Sequence, residues 1–289
     1  MANLKDIKGR IESVKNTQQI TKAMKMVSAA KLKKAQDNII NCRPYAYKIL
    51  NLINDIASTN GVEHPLIETG ERPKEKLLFV VLTSDRGLCG GFNNNLARWA
   101  LKKYDEIAPN YKQVDFYFIG KKAAAFFKNR KIEAVATLEN LAKDISYSLA
   151  SDVAEDLLTK YQAGDYDEVQ LVYNEFKSAI AQEIVQETLL PLAVAAEEGT
   201  DEIKDIIFEP SPAEMLDQLL KKHFAVQIYR VMSESIAAEL AARMTAMENA
   251  TNNAAEMIYK LTLTYNKVRQ ANITTELIEI TSGAEALQG

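Results

Sequence analysis

The sequence predicts an α/β protein with long helices, in which the amino- and carboxy-terminal ends pair as an antiparallel, left-handed coiled coil and an α/β domain is inserted between them. Three observations predict it. Residues 213–282 contain neither glycine nor proline, so nothing in that stretch breaks a helix. Apolar residues near both ends recur at alternating spacings of three and four, the seam of a coiled coil. The middle holds short apolar or β-branched runs bounded by turn residues, as buried strands do.

The amino-terminal helix is expected over residues 1–57. Leu4, Ile7, Ile11 and Val14 form one seam run, and Ser28, Leu32, Ala35, Ile39, Cys42, Ala46, Ile49, Ile53 and Ile56 form a second. Between them lies NTQQITKAMK, where the apolar phase slips, polar residues occupy the seam, and local unwinding or a changed partner is expected. Pro44 removes a backbone donor, yet the seam runs across it, so a kink is expected there and not an end. This arm is basic. Residues 1–48 carry eleven Lys/Arg against Asp6, Glu12 and Asp37, a net +8 in a chain whose total is -4, which fits an acidic protein partner or nucleic acid.

The central domain is expected over 58–211. LLFVVLT at 77–83, VDFYFIG at 114–120 and EVQLVYNEF at 168–176 read as strands, with helices near 93–108, 121–129 and 144–162. That alternation predicts a parallel, Rossmann-like sheet. EIVQETLL at 183–190 adds an edge strand, and DIIFEP at 205–210 leads into the last helix. The loop TSDRGLCGGFNNN, residues 83–95, sits between a strand and a helix, where α/β proteins bind anions and nucleotides. It has neither GxxxxGK[ST] nor GxGxxG, so it reads as a tight turn with Asn93 or Asn94 capping the next helix.

The last helix is expected over 212–289. Its uninterrupted length corresponds to roughly 100 Å at 1.5 Å per residue, too long for the interior of one globule. Its seam is Ala237, Leu240, Met244, Met247, Thr251, Ala254, Ile258, Leu261, Tyr265 and Val268. Beyond it Arg269, Gln270, Asn272, Thr274 and Thr275 crowd polar groups onto the helix.

Composition excludes disordered and fibrous classes: 47% of residues are hydrophobic and 26% charged. Cys42 and Cys89 make no CxxC pair, which fits a reducing compartment. The opening MANLKDIKGR lacks an apolar signal core, and the longest apolar runs fall far short of the roughly 20 residues that cross a bilayer. His64 and His223 are isolated from other metal-ligand types, the methionines at helical spacing read as core, and no catalytic, cofactor or metal constellation emerges. Two other classes fit parts of the chain. One is a flavodoxin-like nucleotide- or flavin-binding enzyme with a coiled-coil dimerisation arm; the other is a basic coiled coil on nucleic acid.

IKGRIESVKNTQQITKAMKMVSAAKLKKAQ, LTSDRGLCGGFN and AARMTAMENATNNAAEMIYKLTLTYNKVRQANITTELIEITSGAEAL resemble, in order, spacing and length, the best-marked stretches of the F-type ATP synthase gamma family. The resemblance covers essentially the whole chain. It implies a non-catalytic central rotor stalk subunit that transmits torque between a membrane rotor ring and catalytic beta subunits, coupling proton flow to ATP synthesis or hydrolysis. It implies that the paired ends turn inside a ring of three alpha and three beta subunits. Met24, Lys25 and Cys89 with its loop would face the acidic lever segment of a beta subunit, and Arg269, Gln270 and Thr274 a beta-subunit loop. The last residues, through Leu287, would sit in an apolar sleeve. Asp205, Ile206, Ile207 and Phe208 would meet the rotor ring, and the α/β domain the epsilon subunit. It implies no cofactor, no nucleic acid and no direct membrane insertion, with the chain peripheral at the cytoplasmic face of a bacterial cell membrane. Only EEGTDEIK separates the segments near 190 and 205, so the cysteine-bearing regulatory insertion of chloroplast relatives is missing. No mitochondrial presequence precedes the first helix, which favours a bacterial origin.

Overall fold

The computed structural model describes residues 4–60, 64–68, 74–139, 145–193 and 211–288. In chain order the elements are α1 (Leu4–Asn60), β1 (Lys76–Leu82), α2 (Phe92–Ile107), β2 (Gln113–Ile119), α3 (Lys121–Lys128), β3 (Ala134–Leu138), α4 (Tyr147–Gln162), β4 (Glu168–Phe176), β5 (Gln182–Leu190) and α5 (Pro212–Gln288). They divide into two compact units, Met1–Ser28 with Met244–Gly289, and Ala29–Arg243. α1 and α5 contribute to both.

The first unit is a two-helix structure. Leu4, Ile7, Ile11, Val14, Gln18, Thr21, Lys25 and Ser28 are buried or half-buried while most of their neighbours are exposed. On α5, Met244, Met247, Thr251, Ala254, Ile258, Leu261, Tyr265 and Val268 are covered in the same alternation. Thr21 Oγ1 lies 2.8 Å from Thr251 Oγ1, and Lys25 Nζ donates to Glu248 Oε1 at 2.6 Å. Four residues forward on α1 thus meet three residues back on α5, so the helices run antiparallel. The expected phase slip at NTQQITKAMK does not occur. α1 is continuous there, and the three-four spacing runs unbroken from Leu4 to Ser28 with polar members in place. The apolar template fails at Gln18, Thr21 and Lys25 because α5 supplies Thr251 and Glu248 opposite them. A hydroxyl or ammonium group satisfied across the seam can occupy a position that hydrophobicity alone would assign to a leucine.

The second unit is a three-layer α/β structure. Its sheet has the order β3-β2-β1-β4-β5. The first four strands are parallel and β5 pairs antiparallel with β4. Strand alternation sorts the side chains. Leu77, Phe79 and Val81 of β1 join Phe116, Phe118 and the α2 and α3 residues Leu96, Ala100 and Phe127 on one face. Leu78, Val80 and Leu82 join Ile119, Leu171 and Tyr173 on the other, against α4, α1 and α5. There the α1 seam residues Ile53 and Ile56 and the α5 residues Leu216 and Leu220 are fully buried. α1 continues through Pro44 without ending. Cys42 of α1 lies close enough to Arg230 of α5 to feel its charge, though burial dominates and pushes the thiol up.

The sheet follows the expected plan with one addition. AVATL, residues 134–138, forms edge strand β3, which sequence reading assigned to no element. Its small residues and half-buried alternation carry a weak apolar signal. The DIIFEP segment lies outside the described residues. His223 is buried, its Nδ1 has no hydrogen-bond partner among the described residues, and burial, reinforced by Arg230, lowers its pKa to about 4. His64 is also lowered, by burial against the opposing pull of Asp217.

Candidate partner-contact surfaces

An open α/β sheet offers a ligand crevice at the carboxyl ends of the strands where the chain reverses direction across the sheet, here between β1 and β4. α5 fills it. Cys89 from the β1–α2 connection, Phe92 at the start of α2 and Phe176 at the end of β4 pack against Ala238 and Ala242. The remaining gap, lined by Thr83, Ser84, Asp85, Phe92, Ser235, Ile236 and Glu239, has no room for a water molecule. The chain's own helix takes the place that a ligand occupies in nucleotide-binding open α/β sheets. Among the described residues no group of three or more His, Cys, Asp and Glu side chains is placed to hold a metal ion.

The 83–91 loop is built to be held. Ser84 N–H donates to Asn93 Oδ1 at 2.9 Å, Asn93 Nδ2 donates to Ser84 Oγ at 2.8 Å, and Ser84 Oγ donates to the Arg86 carbonyl at 2.6 Å. Asn93 therefore braces the loop; the N-cap of α2 is Gly91, one residue before Phe92, so neither Asn93 nor Asn94 caps the helix as expected. From α5, Arg243 Nη2 donates to the Gly87 carbonyl at 3.1 Å and pairs with Glu239 Oε1 at 2.5 Å. Burial raises the Glu239 carboxyl, with Arg243 pulling the other way. Cys89 is 1% exposed, and burial pushes its thiol up. Its Sγ is covered. The loop instead presents Arg86, Gly87, Leu88 and Gly90, with Leu88 65% exposed at a φ of 65°. Sequence reading missed the brace from α5, although a Glu four residues before an Arg on a helix is a recognisable pair.

In the two-helix unit Met24 and Lys25 are half-buried, and Lys25 is already paired with Glu248. Next to them lies an open groove of ≈ 410 Å³ lined by Gln18, Gln19, Lys22, Lys25, Met26, Glu248, Thr251 and Asn252. Lys22 and Met26 are exposed on this surface; Lys22 carried no expectation from sequence, while Met26, like Met257, was expected in the core and is not there, because it falls off the α1 seam. Farther along α5, Arg269, Gln270 and Thr274 are exposed, and every described side chain from Arg269 to Ala284 is exposed too. Thr274 returns its hydroxyl to the Gln270 carbonyl at 2.9 Å. Ile273, Leu277, Ile278 and Ile280, all at least 47% exposed, give this segment an apolar surface that the described residues leave uncovered. Asp205, Ile206, Ile207 and Phe208 lie outside the described residues, as does the Leu287 side chain.

The profile of the ATP synthase family matches residues 3–287. The ATP synthase gamma chain of Bdellovibrio bacteriovorus is 56% identical to this chain over the full length of both. Among solved structures, the central stalk and c-ring structure of the Tetrahymena thermophila mitochondrial ATP synthase contains a chain that is 27% identical, with a TM-score of 0.61, covering 80% of this chain and 99% of its own. A chain of the Euglena gracilis mitochondrial ATP synthase, at 23% identity, shares the fold with a TM-score of 0.69 over 98% of this chain and 94% of its own.

Proposed function

This chain belongs to the ATP synthase gamma chain family, and on that premise we propose how its own residues do the work of a central rotor stalk. It is a non-catalytic subunit that carries torque between the membrane rotor ring and the catalytic beta subunits, and so couples ion flow to ATP synthesis or hydrolysis. The complex is membrane-associated, and no described helix of this chain is long and apolar enough to cross a bilayer. We place the chain at the cytoplasmic face, attached through its partners, with residues 1–57 and 212–289 as the shaft and 58–211 as the inserted domain.

A rotor can bias a beta subunit only through contacts that differ between that subunit's conformations. The surfaces for such contacts are asymmetric here. One face of the two-helix unit carries Lys22, Lys25 and Met26 along a basic arm, suited to an acidic lever segment, with Met24 half-buried on the same turns of α1. The loop adds Arg86 and Leu88 beside covered Cys89. The α5 segment from Arg269 offers Arg269, Gln270 and Thr274 to a beta-subunit loop, and its exposed isoleucines and leucine to an apolar sleeve. Asp205 to Phe208 would meet the rotor ring, and the sheet domain the epsilon subunit. The observation that carries this reading is the antiparallel pairing of the two ends through Thr21 with Thr251 and Lys25 with Glu248, followed by an α5 segment left uncovered.

The test is rotation in a complex assembled with alpha and beta subunits, with a bead attached through Ile180→Cys at the turn between β4 and β5, where the native side chain is 86% exposed. ATP should turn the bead, and Arg269→Ala with Gln270→Ala should lower the torque. ATP hydrolysis with a stationary bead would remove the shaft role. Unchanged torque in the double variant would remove Arg269 and Gln270 from the mechanism.

A further inference from the structure

Within the second unit, one cation sits where the sheet meets the two helices. Arg230 of α5 donates from Nη2 to Glu187 Oε1 on β5 at 2.5 Å and from Nη1 to the Tyr173 hydroxyl on β4 at 3.1 Å. Its Nε donates to Gln227 Oε1 at 2.8 Å, and Glu234 Oε1 lies 3.7 Å from Nη1. Tyr173 OH also bridges to Glu187 Oε2 at 3.3 Å, and Cys42 of α1 lies within the field of the guanidinium. Only 22% of the Arg230 side chain is exposed, and Tyr173 is 1% exposed. Around it the layer is apolar, made of residues such as Ile49 and Ile53 of α1, Val226 and Val231 of α5 and Leu171 of β4.

A charge in such a layer is costly to desolvate, and an aliphatic side chain of similar length would fill the same space at no such cost. What the aliphatic chain lacks is direction. Apolar burial resists separation of helix and sheet but is non-directional. Hydrogen bonds from a planar fork fail when donor and acceptor move out of line. Turning α5 by about 20° about its own axis would carry an atom some 6 Å from that axis about 2 Å sideways, enough to break both bonds to the sheet.

We propose that Arg230 is a positioning residue that locks the sheet against rotation about the helix pair, so that torque entering the α/β domain is delivered to the helices without slip. The inference rests on the rotor reading above. It assigns no contact with any other subunit; it concerns the joint inside this chain.

The experiment uses the assembled, membrane-reconstituted complex carrying Arg230→Met, with ATP hydrolysis and ATP-driven ion pumping measured on the same preparation. A second variant combines Arg230→Met with Glu187→Gln and Glu234→Gln, which neutralises the two carboxylates that the guanidinium faces. Arg230→Met should keep hydrolysis in assembled complexes while ions moved per ATP fall roughly threefold or more. The combined variant should recover the melting temperature and not the pumping ratio, a separation that a purely structural role would not produce. An unchanged pumping ratio in Arg230→Met overturns the proposal, and so does recovery of both quantities together in the combined variant. A wild-type complex that hydrolyses ATP without pumping would sink the rotor reading itself, and this proposal with it.

Discussion

Alanine at position 243 is expected to lower the unfolding free energy by about 3 kcal/mol at neutral pH, the scale on which removing one partner of a buried ion pair acts. Arg243 is held between the Glu239 carboxylate and the Gly87 carbonyl, and the Glu239 side chain is 5% exposed. Without the guanidinium, burial acts on Glu239 unopposed by its closest cation. The carboxyl is already raised by burial, and it should rise further in the variant. A raised native carboxyl binds protons over a pH range in which the unfolded chain has released them, so stability is regained as pH falls through the native value. The deficit of Arg243→Ala relative to wild type should therefore shrink between about pH 7.5 and pH 5. Urea unfolding at the two pH values measures it. A deficit under about 1 kcal/mol, the scale of an exposed pair, or one independent of pH, would show that Glu239 and Arg243 are not coupled as the geometry implies. The same substitution releases the loop that presents Arg86 and Leu88.

Gly120→Ala should be more damaging still. Gly120 lies at φ +103°, a backbone conformation that L side chains rarely adopt, and a Cβ there would fall 2.1 Å from the Thr83 carbonyl oxygen and 2.7 Å from its carbon. Neither atom can swing away. Thr83 N–H donates to the Ile119 carbonyl at 2.7 Å, Gly120 N–H donates to the Leu138 carbonyl at 2.8 Å, and Thr83 Oγ1 accepts from Ala123 N–H at 2.8 Å at the start of α3. The carboxyl ends of β1, β2 and β3 are tied together at this point. Strain and clash together place the loss above about 4 kcal/mol, among the exceptional single substitutions. The expected result is little soluble protein, or a urea midpoint far below wild type; a midpoint matching wild type would mean that the β1 and β2 ends are not this close.

Much of this was legible in sequence wherever a period carried it. The seams of α1 and α5 follow from three-four spacing, and β1, β2 and β4 from short apolar runs, because burial on one side of a repeating element leaves a repeating trace. The trace fades where satisfaction replaces hydrophobicity. Gln18, Thr21 and Lys25 read as a break until Thr251 and Glu248 are placed opposite them, and that pairing joins residues more than 220 positions apart. β3 was silent because alanine and threonine on an edge strand carry little apolar signal. The closed crevice beside β1 could not be read from the loop alone, since the residues that fill it, Ala238 and Ala242, lie in a distant helix. The depth of Cys89 was not legible either: its side chain is covered, and Arg86 and Leu88 beside it are exposed. Arg230 gave little sequence signal, because its i,i+4 pairing with Glu234 reads as a solvated helix face and its partners on the sheet, Tyr173 and Glu187, lie far away in sequence.

The central claim is that the two ends of the chain pair antiparallel in one fixed register and turn as a single body. Thr21 and Thr251, whose hydroxyls are 2.8 Å apart, allow it to be tested by a covalent lock: Thr21→Cys with Thr251→Cys, in a chain whose Cys42 and Cys89 are replaced by serine. Side chains that close fall within the separation a disulfide spans. The account predicts that the disulfide forms on oxidation and that ATP-driven rotation of the assembled complex proceeds at the same rate oxidised and reduced. Failure of the disulfide to form, or arrest of rotation when it does, would contradict it.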